Sequence, residues 1–247
     1  MNASTFTRRQ AMFAIVLTIA IIVAAGAVTQ IFDLPAEMLV VLADVPLALL
    51  GLYVLRRRGG LRGAGIEPQP WGRAFALSAP LFLPAVVTLA LALGLGGSWE
   101  PQRVLVFALL ALLVGITEEV LFRGVVYTAL RRLGVGRAVV GSAAIFGVMH
   151  LMNIARGADP LTTALQVVYA FALGCAFAAA LEAGGRLLPL IAAHAGTDLF
   201  GFVAGGGVVS GPGYETLTAI ITVVYIVVFG SYTAWVLRRS GRPALAA

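Results

Sequence analysis

Lysine is absent from the 247-residue chain, cysteine occurs once, and histidine twice. Each scarcity excludes something. A single thiol, Cys175 in the run FALGCAFAAA, rules out an intrachain disulfide and a multi-cysteine zinc site; in that setting it is expected to serve core packing. Charge is scarce as well, at 11% of residues, where a soluble domain carries about 25%. With 60% hydrophobic residues and a mean hydropathy of +0.99, a soluble fold is excluded. Because there is no lysine, all 17 basic residues are arginine. The pI near 10.2 would suit a nucleic-acid binder. However, the arginines fall between apolar stretches rather than in one patch, so no nucleic-acid partner is expected.

Long apolar runs are what the chain does have. A membrane helix needs about 20 mostly apolar residues, and candidate spans fall near 11–32, 36–55, 74–96, 104–130, 138–154, 160–182, 187–206 and 215–237. The first follows TFTRRQ, is too long for a removed signal peptide and lacks a small-residue cleavage site, so it reads as a retained helix. The 29 glycines suit closely packed membrane helices. The fold class expected is all-α: a polytopic helical bundle of about eight transmembrane helices, one membrane domain over 1–247.

Arginine placement gives orientation. With the N-terminus inside, Arg8, Arg9, Arg56, Arg57, Arg58, Arg62, Arg73, Arg131, Arg132, Arg137, Arg186, Arg238, Arg239 and Arg242 fall on the cytoplasmic side, Arg103 and Arg156 outside, and Arg123 within a span. That bias supports eight spans, because adding or dropping one would scramble it. The expected location is a bacterial plasma membrane with both termini cytoplasmic.

Against this background a few ionisable residues are out of place: Asp44, Glu118, Glu119, Arg123, His150, His194 and Asp198. The stretch GITEEVLFRG, residues 115–124, holds three of them, and each charge at a helix centre costs roughly 2.5–3.5 kcal/mol. Glu119 and Arg123 are i, i+4 and can pair. Glu118 projects about 100° away and is left over. Counted at about 1.5 Å per residue from the expected cytoplasmic ends, Glu118 and His150 lie about 18 Å deep, Asp198 about 16 Å and His194 about 10 Å. Three helices therefore bring their buried ionisable groups to overlapping depths, and both histidines of the chain are among them.

The chemistry narrows by elimination. There is no His-Glu-x-x-His helix, no nucleophile elbow in GTDLFGFVAG, and no serine beside a histidine. What remains is a carboxylate and a histidine that polarise a water, with further polar groups for an oxyanion. Two alternatives stay open. A transporter or proton-conducting protein also places such groups in mid-membrane, with Asp44 ahead of Pro46 as its one hint. A non-catalytic immunity or scaffold protein would tolerate loss of Glu118 or His150.

Three short patterns taken together, EEVLFR (Glu118 to Arg123), FGVMH (Phe146 to His150) and HAGTD (His194 to Asp198), resemble the three motifs of the CPBP family of CAAX proteases and bacteriocin-processing (Abi) proteins. The resemblance covers about residues 104–200, which would form the catalytic core. It departs from the eukaryotic type II CAAX endopeptidases in ending the third motif with Asp198 rather than Asn. The resemblance implies an intramembrane endopeptidase acting on a membrane-associated protein or peptide. Glu118 would be the general base, assisted by His150, while His194 and Asp198 would bind the carbonyl or its oxyanion. Arg123 would hold Glu119, and Phe146 would pack beneath His150. The site is expected to open toward the cytoplasm. The family is often labelled metalloprotease. Zinc, if bound, would fall to Glu118, His150 and His194, but no obligatory metal is expected, since the two histidines lie on different helices.

Overall fold

The computed structural model describes residues 7–35, 37–57, 72–156, 158–205 and 212–240. Among them eight helical spans are long and apolar enough to cross a membrane, and no strand is present, so the chain is an all-α integral membrane protein. Helix α1 is Arg8–Ile31 and α2 is Glu37–Arg57. The third span is α3, Gly72–Ser78, joined by the tighter turn Ala79–Phe82 to α4, Leu83–Gly94. The remaining helices are α5 (Pro101–Glu119), α6 (Val135–Met149), α7 (Pro160–Glu182), α8 (Leu187–Gly205) and α9 (Pro212–Ser240).

The helix starts follow local chemistry. Thr7 and Gln10 form a reciprocal capping box at α1: the Thr7 hydroxyl accepts from the Gln10 N–H, and the Gln10 side chain accepts from the Thr7 N–H. Pro101 and Pro160 stand at first helical positions, where a missing N–H costs nothing. Asp159 caps α7 by accepting from the Thr162 N–H at 2.8 Å. That bond holds its carboxyl below the usual carboxylate range.

Two departures from regular helix border the candidate site. After Glu119 the fourth span widens into a π-helical segment, Val120–Tyr127, before continuing to Leu133. The fifth span, expected as one helix over 138–154, is α-helical only to Met149 and tightens into a 3₁₀ turn over His150–Arg156. Both irregularities begin at or next to a candidate site residue.

Helix α7 is the centre of the bundle, with 11 of its 23 residues buried against 3 of 24 in α1. Its alanines Ala176, Ala178, Ala179 and Ala180 are completely buried and let neighbours approach. Cys175 is buried there beside Tyr127 and Val139, as core packing. Two glycines set the approach of the site-bearing helices. A Cβ on Gly147 would lie 2.8 Å from the Val167 carbonyl oxygen, so α6 meets α7 backbone to backbone. A Cβ on Gly115 would lie 3.2 Å from the Ile191 oxygen and 3.3 Å from the Ala195 nitrogen, so α5 and α8 touch one turn before Glu118 and beside His194.

The arginine-rich end includes an ion pair between Arg131 and Glu182, with the Tyr127 hydroxyl donating to the same carboxylate at 2.5 Å. The segment 58–71, with Arg58 and Arg62, and Arg242 lie outside the described residues.

Candidate active site

The site grows from one buried oxygen. Glu119 Oε1 accepts from Arg123 Nη1 at 2.8 Å, the i, i+4 pair expected, with both side chains essentially sealed from solvent. The same oxygen lies 2.8 Å from His194 Nδ1, so α5 and α8 are tied through a single atom. The guanidinium is enclosed by two rings, 4.6 Å above Phe146 and 5.0 Å from Phe177. A buried pair is tolerable where its remaining faces are covered in this way.

With Nδ1 committed, the other ring nitrogen of His194 points where the next carboxylates stand. Nε2 is 3.3 Å from Glu118 Oε2 and 3.6 Å from Asp198 Oδ2. Unlike Glu119, these two are accessible: 28% of the Glu118 side chain and 24% of the Asp198 side chain remain exposed. Glu118 is therefore not the unpartnered carboxylate of the single-helix reading; its neighbour comes from α8. The shallower depth counted for His194 is bridged by the length of the imidazole, which reaches both Glu118 and Glu119.

His150 enters differently. It is the residue at which α6 tightens, and its own N–H turns to Gly147 and Val148. The Phe146 carbonyl accepts instead from the His150 ring, Nδ1 lying 2.9 Å away. A carbonyl can only accept, so Nδ1 carries the proton and Nε2 of the neutral ring is left as an acceptor. Phe146 packs edge-on beneath the imidazole at 4.9 Å and also approaches His194 at 6.1 Å.

Glu118, His150, His194 and Asp198 all line one cavity of about 290 Å³, whose wall includes Asp44 of α2. The sequence had singled out these four site residues, and the fold brings them together. It had not singled out Phe177, Thr117, Asn153 or Gln166. Thr117 donates its hydroxyl to the Asp44 carbonyl at 3.2 Å, tying α2 to α5 beside Glu118. Asn153 donates to Gln166 at 2.9 Å on the cavity wall. Their polarity within apolar spans was the available signal; for Phe177, in a run of alanines, there was none.

The cavity corrects one expectation. It was to open toward the arginine-rich, cytoplasmic end, but its lining lies on the other side. On α2 it uses Leu39 to Leu47, in the half remote from Arg56; on the fifth span it uses Met149 to Asn153, at the end remote from Arg137. Depth alone had put the carboxylates near mid-membrane and carried no direction.

As to metal, among the described residues no three His, Cys, Asp or Glu side chains are arranged to hold an ion. Glu118, His150 and His194 share a cavity without forming such a group.

A helical membrane bundle enclosing a glutamate–histidine–aspartate cavity, with one glutamate neutralised by arginine and another accessible, is equipped as an intramembrane hydrolase. Residues 100–200 match the family model described as Type II CAAX prenyl endopeptidase Rce1-like, so over that segment the chain is similar to the CAAX proteases and a relation to their family is supported. Comparisons with curated proteins and with solved structures return no match.

Proposed function

We propose that the chain is an intramembrane endopeptidase in which Glu118 activates water for attack on a peptide bond of a membrane-associated protein or peptide. The observation that carries this reading is the division of labour between adjacent carboxylates: Glu119 is sealed and spent on Arg123 and His194, whereas Glu118 is exposed to the cavity. Glu118 takes a proton from water as it attacks the carbonyl carbon, and the acceptor nitrogen of His150 assists. His194, in its protonated form with Nδ1–H on Glu119 and the Glu118 and Asp198 carboxylates near Nε2, offers its Nε2–H to the developing oxyanion, where one well-placed donor is worth about 3–4 kcal/mol. Asp198 flanks that nitrogen and completes the polar wall. The proton on Glu118 then passes to the departing amine, which closes the cycle. Zinc is not obligatory in this scheme, and the catalytic core is the segment 104–200. The arginine bias supports both termini in the cytoplasm, and the proposed location is a bacterial plasma membrane.

The test is cleavage by the purified, reconstituted protein. A panel of membrane-anchored peptides is offered to the wild type and to Glu118→Gln, and products are identified by mass. Cleavage that disappears in the variant is the expected result; a variant that cleaves as fast as wild type sinks the assignment of the base.

A further inference from the structure

Two of the cavities among the described residues are stacked along the membrane normal, and their walls differ in kind. The one nearer the arginine-rich end, about 430 Å³, lies between α1, α2 and the widened turn of the fourth span. Beyond Arg9 and Gln10 at its mouth its wall is mostly apolar, with Phe13, Leu17, Leu50 and Val54 among its residues. The second is the catalytic cavity. The two meet at a waist of four shared residues, Thr18, Leu47, Thr117 and Leu121. Past that waist, away from the arginines, stand Asp44, Glu118, His150, Asn153, Gln166 and Asp198.

Position along each helix fixes the direction. On α1 the first cavity uses Arg9 to Thr18 and the second Thr18 to Ile22. On α2, which runs the opposite way, the first uses Leu47 to Val54 and the second Leu39 to Leu47. The two antiparallel helices agree. His150 and Asn153 lie close to the end of the fifth span remote from Arg137, and Gln166, exposed, lies near the start of α7.

A peptide bond carries an N–H and a C=O, and each is costly to leave unpaired away from water. The apolar cavity offers little to satisfy them. The polar one does: the Asn153–Gln166 hydrogen bond uses one donor and one acceptor of two side-chain amides, leaving Asn153 Oδ1 and the Gln166 amide N–H groups to pair with an extended backbone.

We infer that the protein receives the peptide to be cut from the side of the membrane opposite its arginine-rich end, through the mouth beside Asn153 and Gln166. Given the orientation from arginine, that is the non-cytoplasmic side. The substrate class is therefore a peptide or membrane-protein segment already exported to that leaflet rather than a cytoplasmic chain terminus. This rests on the proteolytic reading of the same cavity.

The experiment separates the two. In a Cys175→Ala background, single cysteines are placed at Leu39 and Gln166 on the cavity wall and at Gly136 near the arginine-rich end, where an added side chain meets nothing within 4 Å. A charged, membrane-impermeant maleimide is applied to right-side-out and to inverted membrane vesicles. Leu39→Cys and Gln166→Cys are expected to label fully in right-side-out vesicles and not in inverted ones, and Gly136→Cys the reverse. Labelling of the cavity cysteines from the same side as Gly136→Cys, or from neither side, overturns the inference. A water-soluble quenched peptide added to vesicles of the unsubstituted protein should be cut only when right-side-out, and cutting confined to inverted vesicles also overturns it. If labelling comes out as expected and neither vesicle cuts any peptide, the proteolytic reading fails while the sidedness of the cavity stands.

Discussion

Replacing Arg123 by methionine removes the guanidinium paired with Glu119 while leaving a side chain of comparable length between Phe146 and Phe177. Breaking a buried ion pair by deleting one partner costs about 3–5 kcal/mol, and Glu119 then stays buried with the His194 contact but without the guanidinium. Glu119→Gln deletes the other member and strands the guanidinium between its two rings, for a loss of the same order. The double variant Arg123→Met with Glu119→Gln strands neither charge. It should fall short of the sum of the single losses by about 2–3 kcal/mol, at the upper end for residues in direct contact. Equilibrium unfolding in mixed micelles, read by steric trapping on tagged protein, gives all four corners of the cycle. Losses that add to within about 0.5 kcal/mol would refute the reasoning, because additivity of that quality belongs to sites that do not interact.

Other outcomes follow from the same geometry. Glu118→Gln should lower kcat by about 10²–10⁴-fold without the stability loss of Glu119→Gln; equal losses of stability would show that both carboxylates are structural. Gly115→Ala puts a methyl against the Ile191 carbonyl and shifts α8 by a few tenths of an ångström. It should cut activity by up to about 10²-fold, measured per folded molecule; unchanged activity would mean that the approach of α5 to α8 does not set the site. Glu182→Gln weakens the contacts from Tyr127 and Arg131 and should cost about 1–3 kcal/mol in unfolding while sparing the turnover of folded protein. Cleavage should persist after a strong chelator; stoichiometric zinc whose removal stops cleavage and whose return restores it would refute the metal-free scheme.

The eight spans were legible because each is a run of apolar residues with arginine, proline or glycine at its margins, and lipid imposes that pattern on any helix that crosses it. The Glu119–Arg123 pair was legible because four-residue spacing on one helix is local geometry. The bond from Glu119 to His194 was not. It needs α5 and α8 to touch, and that contact depends on Gly115, one of many glycines in the chain, none marked by sequence as the decisive one. The widened turn over Val120–Tyr127 was also hidden: VLFRGVVY contains no proline, and every one of its residues is buried whichever hydrogen bonds it makes. The direction of the cavity could not come from residue depth, because groups near mid-membrane are almost equally far from both faces; it emerged only when their neighbours on α1 and α2 were in place.

The π segment makes the fourth span intolerant of changes in length. Its backbone closes onto a more distant carbonyl than an α-helix does, so the chain beyond it leaves at an angle that a regular helix would not give. Beyond it Arg131 meets Glu182. Losing one residue between Val120 and Tyr127 would draw the remainder back by about 1.5 Å and turn it by about 100°, carrying Arg131 off its partner while Glu118 and Glu119 stayed where they are. The spacing from the buried carboxylates to the membrane surface is therefore a vernier, set to a single residue, and homologous chains that share this geometry should place their insertions and deletions outside it.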